Sequence, residues 1–175
     1  YAMAANHAAA AVVGLLLAEP LERIAESLSQ LRTVPGRSQR MVEHGKPTVV
    51  IDAGGTPARA VEAMRPCRDM KAGGKLWCIL VLDAAADADT LSRYGTQLER
   101  FADQAIITAT DQSRSGFLAA SHNVLDGVKK CASFRLVANR HRAIEWAVTE
   151  AAAEDTVLII TGERGLTAHA QRTDL

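Results

Sequence analysis

The chain has no excess of either charge. Its 20 basic residues are matched by 20 acidic ones, whereas a protein that neutralises phosphates or anionic lipid carries a basic surplus. Aromatic residues make up only 4%, which argues against platforms that stack unpaired bases. The longest apolar run, residues 8–18, is 11 residues long, well short of the ~20 needed to cross a bilayer. It has no basic segment before it, so it does not read as a secretory leader. The three cysteines, Cys67, Cys78 and Cys131, are far apart and form no CxxC pair, which excludes a zinc ribbon or a disulfide framework and makes a reducing cytoplasm the simplest compartment. Also missing are GxGxxG, a GK[ST] phosphate loop, HExxH and GxSxG, so a dinucleotide fold fingerprint, a P-loop, a zincin site and a nucleophile elbow are not predicted. His7, His44, His122, His141 and His169 are scattered without metal-ligand spacing.

What is present is a globular composition, 48% apolar over 175 residues, enough for one compact domain with part of a neighbour. Residues 6–18 read as a helix that is apolar nearly all round and therefore buried. Pro20 opens a second helix over 21–31, with Leu21, Ile24, Leu28 and Leu31 at helical spacing. Pro35-Gly36 breaks the chain, and a boundary is placed there, dividing 1–33 from 34–175. The start at Tyr1 instead of Met is read as a sign that the chain is a piece of something longer.

Beyond the break the pattern alternates. Strands are predicted at 48–52, 75–82, 105–108, 134–137 and 156–160, with helices at 57–64, 89–102, 115–129 and 140–153. An extra strand at 40–44 would pair with 48–52. The order β-β-α-β-α-β-α-β-α-β specifies an α/β fold, a mostly parallel sheet with helices on both faces. Ligands of such sheets sit beyond the carboxyl ends of the strands.

Four segments fall there or beside the boundary. Asp52 with Gly54, Gly55 and Thr56 either holds a ribose or an anion, or simply makes a turn and a cap. Val34-Pro35-Gly36-Arg37 either aims an Arg at a nucleotide or is a linker with a solvated side chain. In Asp111-Gln112-Ser113-Arg114-Ser115, Arg114 could clamp a carboxylate, or Asp111 or Ser113 could serve only as a helix cap. Asp83, Asp87 and Asp89 lack the companions a divalent cation needs, and a solvated, helix-capping loop is favoured.

Taken together the segments resemble a known family. Asn6-His7 opening an Ala-rich helix, Leu31-Arg-Thr-Val-Pro-Gly-Arg37, and Val49-Val-Ile-Asp52 leading to Thr56-Pro57 look like the C-terminal part of a Mur ligase. The likeness continues through Gly74-Lys75-Leu76-Trp77, Phe101-Ala102-Asp103, residues 111–115, Asn139-Arg140 with Ala143-Ile144, and Asp155-Thr-Val-Leu-Ile159. The subtype it resembles most adds diaminopimelate or lysine to a UDP-muramoyl-peptide. The resemblance implies a Rossmann-like C-terminal domain over 34–175, preceded over 1–33 by the last helices of a central ATPase domain. It implies that Asn6 contacts adenine, that Arg37 and Asp52 hold the sugar and phosphate side of ATP, and that Asp111 and Arg114 grip the incoming amino acid. It further implies a cytoplasmic ligase that uses ATP and Mg, mainly through the central domain, and forms an amide by way of an acyl phosphate. Nucleic acid and membrane are not among its implied partners.

The chain departs from the family pattern in three places. Asp-Tyr-Ala-His-Thr-Pro becomes Asp52-Ala-Gly-Gly-Thr-Pro57, a Gly-Asp-Arg-Asp segment with a following Lys-Arg becomes Leu82-Asp-Ala-Ala-Ala-Asp-Ala-Asp89, and Gly-Lys-Gly-His-Glu shrinks to Gly162-Glu-Arg-Gly165. These losses keep a second reading open, a non-catalytic Mur-like module that binds a nucleotide or another ligand.

Overall fold

The computed structural model describes residues 2–30, 36–70, 73–82, 86–110 and 113–161. The chain divides into two compact units, 1–33 and 34–175.

The first unit is a helical hairpin, α1 (Ala2–Leu16) and α2 (Leu21–Ser29). Ala18, at φ +59°, ends α1 in the left-handed conformation common after helices, and Pro20 is the N-cap of α2. The helices meet at Gly14, where an added Cβ would lie 2.8 Å from Cδ1 of the buried Ile24. The expectation that the first helix is buried is corrected here. Val12, Val13, Leu15 and Leu16 are each at least half exposed, because two helices alone offer one seam and leave the other faces uncovered. Leu31, at the end of the predicted second helix, lies outside the described residues.

The second unit follows the predicted order: β1 (Gln39–Met41), β2 (Thr48–Asp52), α3 (Pro57–Met70), β3 (Leu76–Leu82), α4 (Ala88–Phe101), β4 (Gln104–Ala109), α5 (Arg114–Leu125), β5 (Phe134–Asn139), α6 (Arg140–Glu150) and β6 (Thr156–Ile160). The sheet order is β1-β2-β6-β3-β4-β5. All neighbours are parallel except β1, which pairs antiparallel with β2. Every residue of β3 is buried, as a central strand covered on both faces requires. Its alternate side chains serve two cores. Leu76, Cys78, Leu80 and Leu82 pack with residues of α3, α4 and α5, while Trp77, Ile79 and Val81 pack with Ala143 and Ala147 of α6.

Three helix ends differ from expectation. α3 does not stop at Met64 but continues through Pro66 to Met70. The proline costs the helix a hydrogen bond, yet Met64 and Cys67 on either side of it are fully buried, and Arg68 Nη1 beyond it donates to the Phe101 carbonyl at 2.6 Å. α5 ends at Leu125, before Gly127, which runs so close to α4 that an added Cβ would overlap the Ser92 carbonyl. α6 ends at Glu150 because Ala151 turns extended and the Ala152 amide donates to Asp155.

The chain passes outward from β3 to β5 with its connecting helices on one face. It then returns through α6 on the other face and inserts β6 between β2 and β3. The carboxyl ends of β3 and β6 therefore lie side by side near the middle of the sheet, on the edge where ligands of parallel α/β sheets bind. No helix among the described residues is long and apolar enough to cross a membrane.

Candidate functional site

Two adjacent features occupy the carboxyl edge. The first is the turn carrying Arg37. Gly36 and Ser38 flank it in left-handed conformations, at φ +70° and +47°. The turn is fastened to the end of β2 from both sides. The Ala53 amide donates to the Gly36 carbonyl at 2.8 Å, and Arg37 Nη1 donates back to the Ala53 carbonyl at 3.2 Å. The amide and the hydroxyl of Ser38 both donate to Asp52 Oδ2, at 2.8 and 2.9 Å. Gln39 Oε1 accepts from the Gly36 amide at 3.0 Å. The Asp52 carbonyl in turn accepts from the Thr161 amide at 2.9 Å, which joins this corner to the end of β6.

The second feature is a cavity of about 230 Å³ at the carboxyl ends of β3 and β6. It lies between Gly55 of the β2–α3 turn, the ends of β3 and β6, and the first half of α4. Thr161 lines it, is nine-tenths buried, and has a hydroxyl with no hydrogen-bond partner among the described residues. The Tyr94 hydroxyl, also at the cavity, donates to the Gly54 carbonyl at 3.3 Å. Gly54 is a glycine for a packing reason: an added Cβ would lie 2.6 Å from Ile160 Cγ2.

The structure brings Arg37 and Asp52 together, on the two sides of one hydrogen-bonded corner. It gives Asp52 a structural duty through Ser38 that the sequence did not reveal. Arg114 is the first residue of α5 and is exposed at the carboxyl end of β4. Asp111 lies outside the described residues. Ser113 is the N-cap of α5, accepting from the Gly116 amide at 3.2 Å. Asn6 is exposed on α1 in the first unit.

The acidic loop behaves as a cap. Asp87 accepts from the Thr90 amide at 2.7 Å and from the Thr90 hydroxyl at 3.2 Å. These bonds hold its carboxyl below the ordinary carboxylate range. Asp89 pairs with Arg93 one turn on, at 2.9 Å, and Asp83 lies outside the described residues. Among the described residues no three His, Cys, Asp or Glu side chains come together as a metal site. Cys67, Cys78 and Cys131 are free thiols, the first two buried, and burial pushes the Cys67 thiol up to about 12. Ser38, Gln39 and Thr161 were missed by sequence reasoning. Ser38 and Gln39 follow a recognisable Pro-Gly-Arg turn, but nothing in their own identity announces a bond to a strand 14 residues away.

The architecture has close relatives. A TM-score of 0.65 relates the chain to a bifunctional folylpolyglutamate synthase/dihydrofolate synthase from Yersinia pestis, solved with AMPPNP and a Mn ion. That match is 18% identical and covers 87% of this chain and 34% of the other. A UDP-N-acetylmuramoyl-L-alanyl-D-glutamate–2,6-diaminopimelate ligase structure gives the same TM-score, 0.65, at 16% identity over 86% of this chain and 31% of that one. In sequence, the chain is 32% identical over 146 residues to the enzyme of that name from Acidovorax sp. (strain JS42). This alignment takes in 82% of this chain but only 29% of the relative's length. Residues 36–164, which contain the Arg37 turn, the end of β2 and the cavity at the ends of β3 and β6, match the family model for the Mur ligase, glutamate ligase domain. The chain belongs to the Mur ligase family, through this domain.

Proposed function

We propose that the chain works as the C-terminal part of an ATP-dependent amide ligase in peptidoglycan precursor synthesis. The ligase joins an amino acid such as diaminopimelate to a UDP-muramoyl-peptide in the cytoplasm. The observation that carries this reading is the fastened Arg37 turn at the end of β2, in a chain 32% identical to a diaminopimelate ligase. Residues 1–33 are the closing helices of a central ATPase domain, and the apolar side chains exposed on α1 pack there against the rest of it.

The corner suits one end of a nucleotide. The bond to Ala53 uses one of the five N–H donors of Arg37, leaving others for a phosphate or ribose oxygen. Asp52 spends Oδ2 on Ser38 and offers Oδ1 to a ribose hydroxyl. Asn6 contributes from α1 toward adenine. The Mg ligands belong mainly to the central ATPase domain. When bound, ATP supplies the phosphoryl group that converts the acceptor carboxylate into an acyl phosphate. The part of this chain is to hold the sugar side through Arg37 and to keep the incoming amino acid by its carboxylate, through Arg114 with Asp111. Arg114 suits this because a guanidinium meets a carboxylate with two parallel bonds.

The test is release of ADP by the full-length protein with ATP, UDP-muramoyl-dipeptide and a panel of amino acids. Release that needs both acceptor and amino acid supports the ligase. The altered segments at 53–55 and 83–89 favour one rival, the non-catalytic module. ATP binding without any release under these conditions would establish that rival.

A further inference from the structure

We propose that Arg65, Arg68 and Arg100, gathered around Phe101 on the amino edge of the sheet, form a docking site for an acidic protein segment that presents two or more carboxylates. The inference is independent of the ligase reading, because this edge lies opposite the one that carries Arg37 and Asp52.

Two helix ends build the site. α3 and α4 run back from the carboxyl edge, and each ends shortly before the strand that follows it, β3 or β4. The passage of α3 through Pro66 carries Arg68 into the last turn, where its Nη1 donates to the Phe101 carbonyl at 2.6 Å. The guanidinium carbon of Arg65 lies 6.0 Å from the centre of the Phe101 ring, and that of Arg100 lies 5.3 Å from it. Both are cation–π distances. All three arginines are exposed. A guanidinium held against a ring keeps an N–H edge for a carboxylate, which it meets with two parallel bonds.

The charge at this place is unbalanced, in a chain whose total is zero. Elsewhere Arg23, Lys46 and Arg93 pair with Glu19, Glu43 and Asp89. None of the three arginines at Phe101 forms an ion pair with a described carboxylate. Glu99, beside Arg100 in sequence, spends its carboxylate on the amides of Lys129 and Lys130, and Asp103 accepts from the Leu76 amide. A helix end favours one cation in its last turn, which accounts for Arg68 and Arg100 but not for Arg65 a turn earlier. The carboxylates of a partner supply the missing charge. Glu62 and Asp69, one turn to either side of Arg65 on α3, bound the patch. They repel a long phosphate backbone, whose binding needs an extended basic surface, and leave room for a short acidic segment.

The experiment is fluorescence anisotropy of fluorescein-labelled hexaaspartate titrated with the full-length protein. Saturable, salt-sensitive binding is expected. Arg100→Gln alone is expected to weaken it about threefold, and Arg65→Gln with Arg100→Gln about tenfold. Lys46→Gln with Arg93→Gln removes the same charge from paired positions and is expected to change it less than about twofold. Unlabelled hexathymidylate is expected to compete at least about tenfold more weakly than unlabelled hexaaspartate. Thermal denaturation shows that the variants are folded. The proposal is overturned if hexaaspartate does not bind saturably, if folded Arg100→Gln or the folded Arg65 and Arg100 pair binds as tightly as the parent, if the Lys46 and Arg93 pair loses as much, or if hexathymidylate competes equally well.

Discussion

Ser38 donates its backbone amide and its hydroxyl to the same oxygen of Asp52, at 2.8 and 2.9 Å. A residue at φ +47° is strained unless its surroundings fix it, and this pair of hydrogen bonds does so. It holds the turn in which Arg37 reaches back to the Ala53 carbonyl. Asp52 is thus a positioning residue for Arg37, whatever ligand it also meets.

Loss of the Asp52 carboxylate should therefore be felt in stability. Asp52→Ala is expected to lower the unfolding free energy by about 2 kcal/mol, and Ser38→Ala by about 1 kcal/mol, since bonds to charged groups are worth about 1.5–3 kcal/mol and neutral ones about half that. In urea denaturation the double variant should lose less than the sum, because the two residues share one interaction. Strict additivity would count against the coupling.

Asp155 ties the opposite, amino edge of the sheet together. Its carboxylate accepts from the Lys75 amide at 2.6 Å, Trp77 Nε1 at 2.9 Å and the Ala152 amide at 3.0 Å. Burial pushes this carboxyl upward, but the three hydrogen bonds outweigh it and hold the group below the ordinary range. A folded value below the unfolded one, about 4, means that the stabilisation is complete above pH ~4 and is lost as the pH falls through the folded value. Asp155→Ala is expected to be about 3 kcal/mol less stable at pH 7, with the gap closing below pH ~4. A gap that does not narrow in acid would contradict the assignment.

α4 and α5 approach each other through two glycines. An added Cβ at Gly95 would overlap the Val124 carbonyl, and one at Gly127 the Ser92 carbonyl. Backbone cannot yield as a flexible side chain can, so Gly95→Ala and Gly127→Ala are each expected to cost about 3 kcal/mol. Thermal denaturation measures this, and an unchanged midpoint for either would show that the helices are farther apart.

Thiol chemistry reads the core directly. Cys67 and Cys78 are buried and Cys131 is exposed, and the Cys67 thiol titrates at about 12. A disulfide reagent at neutral pH should modify one thiol per native chain and all three after denaturation, the count that the sequence supplies. Rapid modification of more than one in the native protein would mean that the α3–β3 packing opens.

Much of the fold was legible because its strands are short apolar runs between turn residues. Thr48–Asp52 and Thr156–Ile160 match expectation residue for residue. What escaped depends on residues far apart in the chain. The exposure of Val12 and Leu16 follows from a hairpin with a single seam, which an apolar pattern does not disclose. The passage of α3 through Pro66 rests on the burial of Met64 and Cys67, and the early end of α5 on the approach of Gly127 to Ser92. At the site, Arg37 and Asp52 were visible in their motifs. The bond from Ser38 and the buried Thr161 hydroxyl were not, because both arise from where β2 and β6 sit in the sheet.

The account turns on Arg37 as the residue that presents a nucleotide-binding group at the end of β2. Its most direct test is calorimetric titration of ATP into the full-length protein carrying Arg37→Ala, with thermal denaturation to show that the domain remains folded. The account predicts an affinity at least about tenfold weaker than that of the parent, the loss of one charge-assisted contact of about 1.5 kcal/mol or more. An affinity equal to that of the parent in a folded variant would contradict it.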